Sequence, residues 1–169
     1  MNTVLYAQPY DLSATGFSFE DAEDYATKAA ACRNAYGGRV EEFEIQFIDG
    51  EAINAQLAEA VGLHQGGIAV FFQAIADWDE RDKLAVIIAV GECGYVFDWA
   101  SSAPGDFDVD IYEGMSLEDL AEEFVDQGLF GEIPKLLQSY LDYDAIARDL
   151  AMDYTEAEVA GMRLVYRCS

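Results

Sequence analysis

The sequence is short of positive charge. Nine lysine and arginine residues stand against 33 aspartate and glutamate residues, which gives a formal net charge of −24 and an isoelectric point near 4.1. A field of that sign repels nucleic acid and anionic lipid, so we expect direct binding to neither, and we expect a macromolecular partner to be basic. A high-salt habitat is a second explanation for such acidity, and the sequence leaves it open.

Histidine and cysteine are also scarce. His64 is the only histidine, so no nucleophile has a distinctive base, and a structural turn residue is expected there. The three cysteines, Cys32, Cys93 and Cys168, are widely spaced and form no CxxC pair. This pattern indicates buried or free thiols in a reducing compartment, not a disulfide framework or a zinc site. Without a glycine-rich phosphate loop either, no cofactor and no metal are expected.

Long apolar runs are missing. The longest, LAVIIAV and IAVFF, fall far below the roughly 18 residues that a membrane span needs, and no N-terminal segment has the pattern of a secretion signal. We therefore expect a cytoplasmic protein that does not cross a membrane. The chain is nevertheless 52% hydrophobic and 13% aromatic, so it is expected to fold around a core and not to be disordered.

The hydrophobic pattern predicts an α+β fold in three small domains: residues 1–60 (mixed α and β), 61–103 (helical) and 104–169 (mixed α and β). In the first, TVLYA, GFSF and EEFEIQFIDG predict strands. Between the last two, SFEDAEDYATKAAACRNAYGG predicts one helix that is capped by Ser18 and ends at Gly37 and Gly38.

Helices dominate from Glu51 to about Ala100, where AINAQLAEAVGL, IAVFFQAIADW and ERDKLAVIIAVGEC predict three short, packed segments. After the turn-forming stretch SSAPGD, we expect a strand, then a helix from Ser116 to about Gln127 that begins with a capping box. A proline-started helix IPKLLQSYL, a helix from about Tyr143 to Leu150 and a final strand MRLVYRC complete the prediction.

The stretch DFDVDIYEGMSLE places acidic residues at alternate positions from Asp106. A calcium-binding EF-hand loop that starts there would need glycine at position 6 and glutamate at position 12. The sequence has Ile111 and Leu117 instead. Phe107, Val109 and Ile111 predict the buried face of a strand with the aspartates extended on the other face, which disfavours a calcium loop. Among 33 acids any spacing arises by chance, so no catalytic carboxylate pair can be located.

No basic residue occurs between Lys83 and Lys135, although twelve acids do. On the helix from Ser116, Asp119, Glu122, Glu123 and Asp126 share one face, whereas Leu117, Leu120, Ala121 and Phe124 form the other. A solvated helix face is the usual interpretation of such a run. The lack of any interspersed lysine favours a charge that is displayed for a purpose.

The segment GEIPKLLQSYLDYDAIARDL resembles the antirestriction motif region of the ArdA family. The residues that carry the resemblance are Gly131, Glu132, Ile133, Pro134, Gln138, Tyr140, Asp142, Tyr143, Ala145, Arg148 and Asp149. YEGMSLEDLAEEF is similar to the segment that precedes this motif in the family, and EEFEIQFIDG to its acidic strand. The N-terminal stretch VLYAQPYDLSATGFSF departs from the family because it lacks the family's Gly-x-Trp.

Resemblance to ArdA implies an elongated, dimeric, non-enzymatic DNA mimic with an acidic surface. Its carboxylates would occupy the DNA groove of type I restriction-modification enzymes, against the specificity and modification subunits, and would protect DNA of mobile genetic elements. The candidate phosphate-mimicking residues are Asp98, Asp106, Asp108, Asp110, Glu113, Glu118, Asp119, Glu122, Glu123 and Asp126. The motif is expected to act through fold and dimerisation, with direct target contact as the alternative.

Three other hypotheses stay open at this point. The first keeps the mimicry but directs it at another DNA-binding protein, such as a nucleoid or repair factor. The second is a module that binds divalent cations. The third is a hydrolase that uses two carboxylates, for which the sequence offers no located pair.

Overall fold

A three-stranded antiparallel sheet organises the N-terminal part of the chain. The computed structural model describes residues 1–169, and its strands β1 (Val4–Pro9), β2 (Phe17–Phe19) and β3 (Phe43–Asp49) are arranged in the order β2-β1-β3. Leu5 and Ala7 of β1 are fully buried and lie opposite Phe19 and Phe17 of β2. All three predicted strands are confirmed, with β1 two residues longer at its C-terminal end.

The first helix, α1 (Ala22–Ala31), is shorter at both ends than predicted. Ser18 does not cap it because Ser18 lies in β2, opposite Tyr6. Asp21 is the cap instead, and its Oδ1 accepts the backbone N–H of Asp24 at 2.8 Å. A carboxylate at this position also faces the positive end of the helix dipole, which favours the later start.

Helix α1 ends well before the glycines that were predicted to stop it. Beyond it, Arg33 and Arg39 form an isolated antiparallel bridge. The carboxamide Oδ1 of Asn34 accepts the backbone N–H groups of Tyr36 and Gly38, at 3.0 and 2.8 Å. A side chain that bonds backbone groups two and four residues ahead favours a turn over a helix, so Asn34 explains the early stop.

The three predicted central helices are confirmed as α2 (Ala52–Ala60), α3 (Ile68–Asp77) and α4 (Glu80–Gly91). Their buried side chains include Leu57, Phe71 and Leu84, which are at most 1% exposed. A 3₁₀ turn, Gln65–Gly67, precedes α3. No helix in the structure has the length and hydropathy needed to traverse a bilayer.

The only histidine starts that 3₁₀ turn. His64 Nδ1 accepts the backbone N–H of Gly66 at 3.0 Å, and the imidazole ring lies edge-on to Trp99 at 5.2 Å between centroids. The prediction of a structural turn residue is confirmed by this geometry.

The cysteine prediction is confirmed for one residue and wrong for two. Cys32 is a free, buried thiol, but Cys93 and Cys168 are disulfide-bonded. Spacing along the chain detects cysteine motifs only when the residues are close in sequence, so it gave no signal here.

A second antiparallel sheet, in the order β4-β6-β5, organises residues 108–169. Its strands are β4 (Val109–Glu113), β5 (Thr155–Val159) and β6 (Met162–Cys168). Helices α5 (Leu117–Asp126), α6 (Lys135–Gln138) and α7 (Tyr143–Leu150) connect β4 to β5. A core cluster of Leu120, Phe124 and Val165 joins α5 to β6.

The chain therefore has seven helices and two small sheets, which confirms the α+β class. It divides into two compact units, Met1–Phe107 and Asp108–Ser169. The division into three domains with boundaries after residues 60 and 103 stays a prediction.

Two features of the second unit differ from the sequence prediction. The expected helix IPKLLQSYL is reduced to the single turn α6, which Pro134 precedes as its cap residue. Strand β5 was not predicted; it pairs with β6 through a hairpin whose turn residues, Ala160 and Gly161, have φ of 53° and 81°. A two-residue turn with positive φ at both positions suits a tight hairpin, but alanine there carries little sequence signal.

We predict that Ala160→Asn stabilises the protein by about 1 kcal/mol, because asparagine tolerates the left-handed conformation that alanine disfavours. Chemical denaturation measures the change. Ala151→Asn is the matched control, since Ala151 is exposed with a φ of −62°, and it should give no gain. Equal effects of both substitutions would contradict the prediction.

Candidate functional site

Helix α5 presents carboxylates on one side and apolar groups on the other, as predicted. Leu120, Ala121, Phe124 and Val125 are its buried residues. Its acids are Glu118, Asp119, Glu122, Glu123 and Asp126, of which Glu123 is half-exposed and the others exposed. Ten residues span about 15 Å of helix, so five carboxylates give about one charge per 3 Å. One strand of duplex DNA carries a charge every ~3.4 Å along the axis.

A reciprocal cap holds the start of α5, and the predicted capping box is confirmed. Ser116 Oγ accepts the backbone N–H of Asp119 at 3.1 Å, while Asp119 Oδ2 accepts the N–H and the hydroxyl of Ser116, both at 2.8 Å. From β5, Glu156 Oε1 accepts the backbone N–H of Leu117 at 2.6 Å. Two carboxylates therefore satisfy the first N–H groups of the helix, at the positive end of its dipole.

These bonds change the acidity of one candidate residue. The backbone N–H of Ser116, and then its hydroxyl, lower the pKa of Asp119 below the usual value of 3.8, and the Arg163 charge adds a smaller effect in the same direction. The main role of the Asp119 carboxylate is therefore to stabilise the start of α5, although the side chain is also exposed.

Two candidates outside α5 also hold turns. Asp98 Oδ1 accepts the N–H of Ala100 at 2.9 Å and its Oδ2 accepts the Ser101 hydroxyl at 2.7 Å. The same two bonds lower the pKa of Asp98. Asp106 Oδ2 accepts the N–H of Ala103 at 2.8 Å. Both carboxylates are exposed, but local bonds fix their orientation.

On strand β4 the face that carries the aspartates is only partly a solvent face. Asp110 pairs with Arg167, directly across on β6, with the carboxylate 2.8 Å from Nη2. Tyr112, two residues further along the same face, packs its ring against Phe124 and Tyr154 at 5.9 and 6.1 Å. Helix α5 packs on this face through the core cluster, so β4 needs apolar groups on it.

The segment between Lys83 and Lys135 contains no basic residue, but basic side chains from another part of the chain lie beside it. Arg167 lies beside Asp110 and places its guanidinium 5.4 Å from the centre of the Tyr154 ring. Arg163, also on β6, contributes to the lowered pKa of Asp119. Strand pairing between distant segments brings these cations in, which a scan along the chain cannot detect.

Four candidates remain without an intramolecular use of their charge. Glu113, Glu118, Glu122 and Asp126 are exposed, and no side-chain hydrogen bond or ion pair engages them. Glu123 accepts a bond from Gln127 at 2.6 Å, and Asp108 is exposed. We call Glu118, Glu122 and Asp126, spaced four residues apart along α5, the acidic ridge. Together with Glu113, these are the candidate carboxylates whose charge no local bond uses.

The antirestriction motif residues divide into structural and exposed groups. Gly131 has a φ of 93°, which favours glycine. Gln138 donates to the Ile133 carbonyl at 3.4 Å, and Asp142 caps α7 by accepting the Ala145 N–H at 3.0 Å. The exposed members are Gly131, Glu132, Pro134, Tyr140, Asp142, Arg148 and Asp149, whereas Ile133, Gln138, Tyr143 and Ala145 are half-buried.

Large apolar side chains around α6 are exposed. Leu136 and Tyr140 are 85% and 84% exposed, and Leu129, Phe130 and Leu137 are all more than half exposed. We call these five residues the apolar segment. Exposed apolar side chains grouped in one segment are typical of interaction surfaces.

No cluster of three or more histidine, cysteine, aspartate or glutamate side chains has the geometry to hold a metal ion. The cation-binding hypothesis therefore has no located site.

The candidate site consists of exposed carboxylates on α5 and an exposed apolar segment around α6. The family model described as "Antirestriction protein (ArdA)" matches residues 18–161. The chain belongs to the ArdA antirestriction family. No curated protein matches the sequence. Family membership gives an antirestriction function, that of an inhibitor and not of an enzyme.

We predict that Asp119→Asn destabilises the protein at neutral pH. A carboxylate whose pKa is lowered by folding stabilises the fold above its unfolded pKa, and this contribution is lost as pH falls through the lower, folded value. The deficit relative to the wild type should therefore shrink below the usual value of 3.8. Urea denaturation at several pH values measures it.

Asp126→Asn is the matched control, because Asp126 is the last residue of the same helix and makes no side-chain bond. Removing a negative charge at the negative end of the dipole should leave stability unchanged or slightly raised. A loss equal to that of Asp119→Asn would contradict the capping role.

Proposed function

We propose that this protein is a DNA mimic that occupies the DNA-binding groove of type I restriction-modification enzymes. It would thereby protect incoming mobile-element DNA in the cytoplasm, where such enzymes act. The observation that carries the proposal is the acidic ridge: three exposed carboxylates, unused within the fold, on a helix that is capped at its start and packed along its other face. Membership of the antirestriction family supports a restriction enzyme as the target.

The amount of charge fits the proposal. Two chains of net charge −24 carry about 48 excess negative charges, which equals the charge on roughly 80 Å of duplex DNA. A groove that evolved to bind phosphates through lysine and arginine would attract such a molecule over a distance. We therefore expect fast association that weakens steeply with salt.

The pattern of charge fits as well. Four residues of helix advance the chain by about 6 Å, and two phosphates along one DNA strand advance by about 7 Å. Each step of the acidic ridge, from Glu118 to Glu122 and from Glu122 to Asp126, therefore approximates a step of two phosphates. Because many carboxylates contribute to the field, each single one is expected to matter little.

To test the proposal, Glu118→Gln, Glu122→Gln and Asp126→Asn are combined in one triple variant, and inhibition of a type I enzyme is measured by DNA cleavage. The expected result is an inhibitory concentration at least tenfold higher, since roughly 0.5 kcal/mol or more is lost per charge when several are removed together.

The matched control removes three exposed acids from the N-terminal unit, with Glu20→Gln, Glu23→Gln and Glu80→Gln. Its net charge equals that of the ridge variant, but its acidic ridge is intact. We therefore expect the control to inhibit more strongly than the ridge variant does. Equal inhibition by the two variants would show that net charge alone acts, and would overturn the role given to the ridge.

We also propose that the protein is a homodimer and that the apolar segment lies in the interface between the two chains. The segment begins immediately before the antirestriction motif and continues into it from Leu136 to Tyr140, and its side chains are all more than half exposed. Burial of these groups would offset the repulsion between two strongly acidic chains. The motif then acts mainly through fold and dimerisation.

We predict that Leu136→Ser combined with Tyr140→Ser converts a dimer to a monomer in sedimentation velocity, without a change in the unfolding transition of the monomer. Leu12→Ser is the control, because Leu12 is 95% exposed in the N-terminal unit and its loss should leave the dimer intact. A double variant that stays dimeric, or a wild type that is monomeric at all concentrations, would refute this interface.

A further inference from the structure

The outer edge of β3 offers unpaired backbone groups beside a groove. β3 is an edge strand, because the sheet order β2-β1-β3 leaves one of its sides without a neighbour. Edge strands present a row of free N–H and C=O groups, and proteins normally blunt or cover them. The backbone groups of this edge can therefore pair with a further strand unless another part of the protein covers them.

The ladder between β1 and β3 decides which residues face outward. Tyr10 donates its backbone N–H to Glu42, and the register pairs Gln8 with Glu44 and Tyr6 with Gln46. Opposed residues in an antiparallel ladder alternate between bonded and non-bonded pairs. Even-numbered residues of β3 thus bond to β1, while Phe43, Ile45 and Phe47 direct their backbone groups away from it.

A glutamine side chain already occupies the first part of this edge. The backbone N–H of Phe43 donates to Gln65 Oε1 at 2.7 Å, and Gln65 Nε2 donates to the carbonyl of Glu41 at 3.1 Å. The carboxamide accepts from one residue and donates to the residue two positions earlier, as a peptide group of a neighbouring strand would. No such cover extends along the edge to Ile45 and Phe47, whose backbone N–H groups have no partner in the fold.

A groove of about 410 Å³ runs beside the uncovered part, between β3 and α2. Ile45 and Phe47 line it from the strand, and Ala55, Ala58 and Leu63 line it from the helix side. An added strand would place alternate side chains on this side of the sheet. The groove can therefore receive the apolar side chains of an extended peptide while the edge bonds its backbone.

The surrounding charge decides between possible occupants. Glu59 lines the groove, Glu44 is exposed on β3, and Glu42 is exposed immediately before that strand. A second copy paired edge to edge would bring these like charges together, which is unfavourable. A segment with lysine or arginine between its apolar residues would instead meet opposite charge.

We propose that the β3 edge, from Ile45 to Phe47, binds an extended peptide segment of a partner protein that alternates apolar and basic residues. The segment adds a strand to the sheet and inserts its apolar side chains between β3 and α2. This docking site is separate from the acidic ridge and does not depend on the DNA-mimic proposal.

The test is backbone amide exchange of the full chain, followed by NMR with and without a short peptide of alternating valine and lysine. The expected result is exchange at Ile45 and Phe47 that slows by at least about tenfold on binding. The same peptide with N-methyl groups on its inward-facing amides, or with glutamate in place of lysine, should fail to protect them. Binding without protection at these two amides, or no binding, would overturn the proposal.

A pair of variants locates the groove. Ala55→Trp fills it from α2 and should weaken the affinity for the valine and lysine peptide at least tenfold, whereas Ala52→Trp, on an exposed position of the same helix, should not. Equal affinities of the two variants, with unfolding transitions that show both to be folded, would contradict the site. Restriction is not measured in these experiments, so this proposal and the DNA-mimic proposal can fail independently.

Discussion

Repulsion among 33 carboxylates on a chain of 169 residues is the constraint to which the rest of the structure responds. None of these acids is buried, because an unpaired carboxylate inside the protein would cost far more than any packing gain. With few lysines to pair with, backbone N–H groups take over as partners. Asp21, Asp79 and Asp142 cap α1, α4 and α7, and Asp119 closes the capping box of α5. Helix dipoles thus stabilise charge that cations cannot neutralise.

The candidate carboxylates fall into two groups, according to whether a local interaction within the fold uses their charge. Asp98, Asp106 and Asp119 accept local hydrogen bonds, and Asp110 pairs with Arg167, so each contributes to the shape of the surface. The carboxylates of the acidic ridge contribute only to the electrostatic field around the protein. The proposed mimicry of a polyanion needs both kinds, because unfixed charges would rearrange around counterions and lose the spacing that a phosphate-binding groove selects. The capped and packed helix α5 meets that need on one element.

Features with a local cause were predictable from the sequence. The alternation of Phe43, Ile45 and Phe47 gave β3, and the spacing of acids and leucines gave both faces of α5. Features set by distant partners were not. The ion pair between Arg167 and Asp110 arises from the register of β4 with β6. Helix α1 starts later than predicted because Ser18 pairs within β2. The exposure of Leu136 and Tyr140 was not predicted either, because an apolar pattern in the sequence does not show whether the side chains are buried within the same chain.

Under the proposed function, the protein and duplex DNA compete for one DNA-binding groove of the restriction-modification enzyme. An equilibrium titration of a purified type I methyltransferase core, with labelled duplex already bound, measures this directly when the protein is added at several salt concentrations. Competition predicts complete displacement of the duplex and no ternary complex. It also predicts that the logarithm of the binding constant for the protein falls linearly with the logarithm of salt concentration, as it does for DNA. A stable ternary complex, with the duplex still bound at saturating protein, would contradict the account.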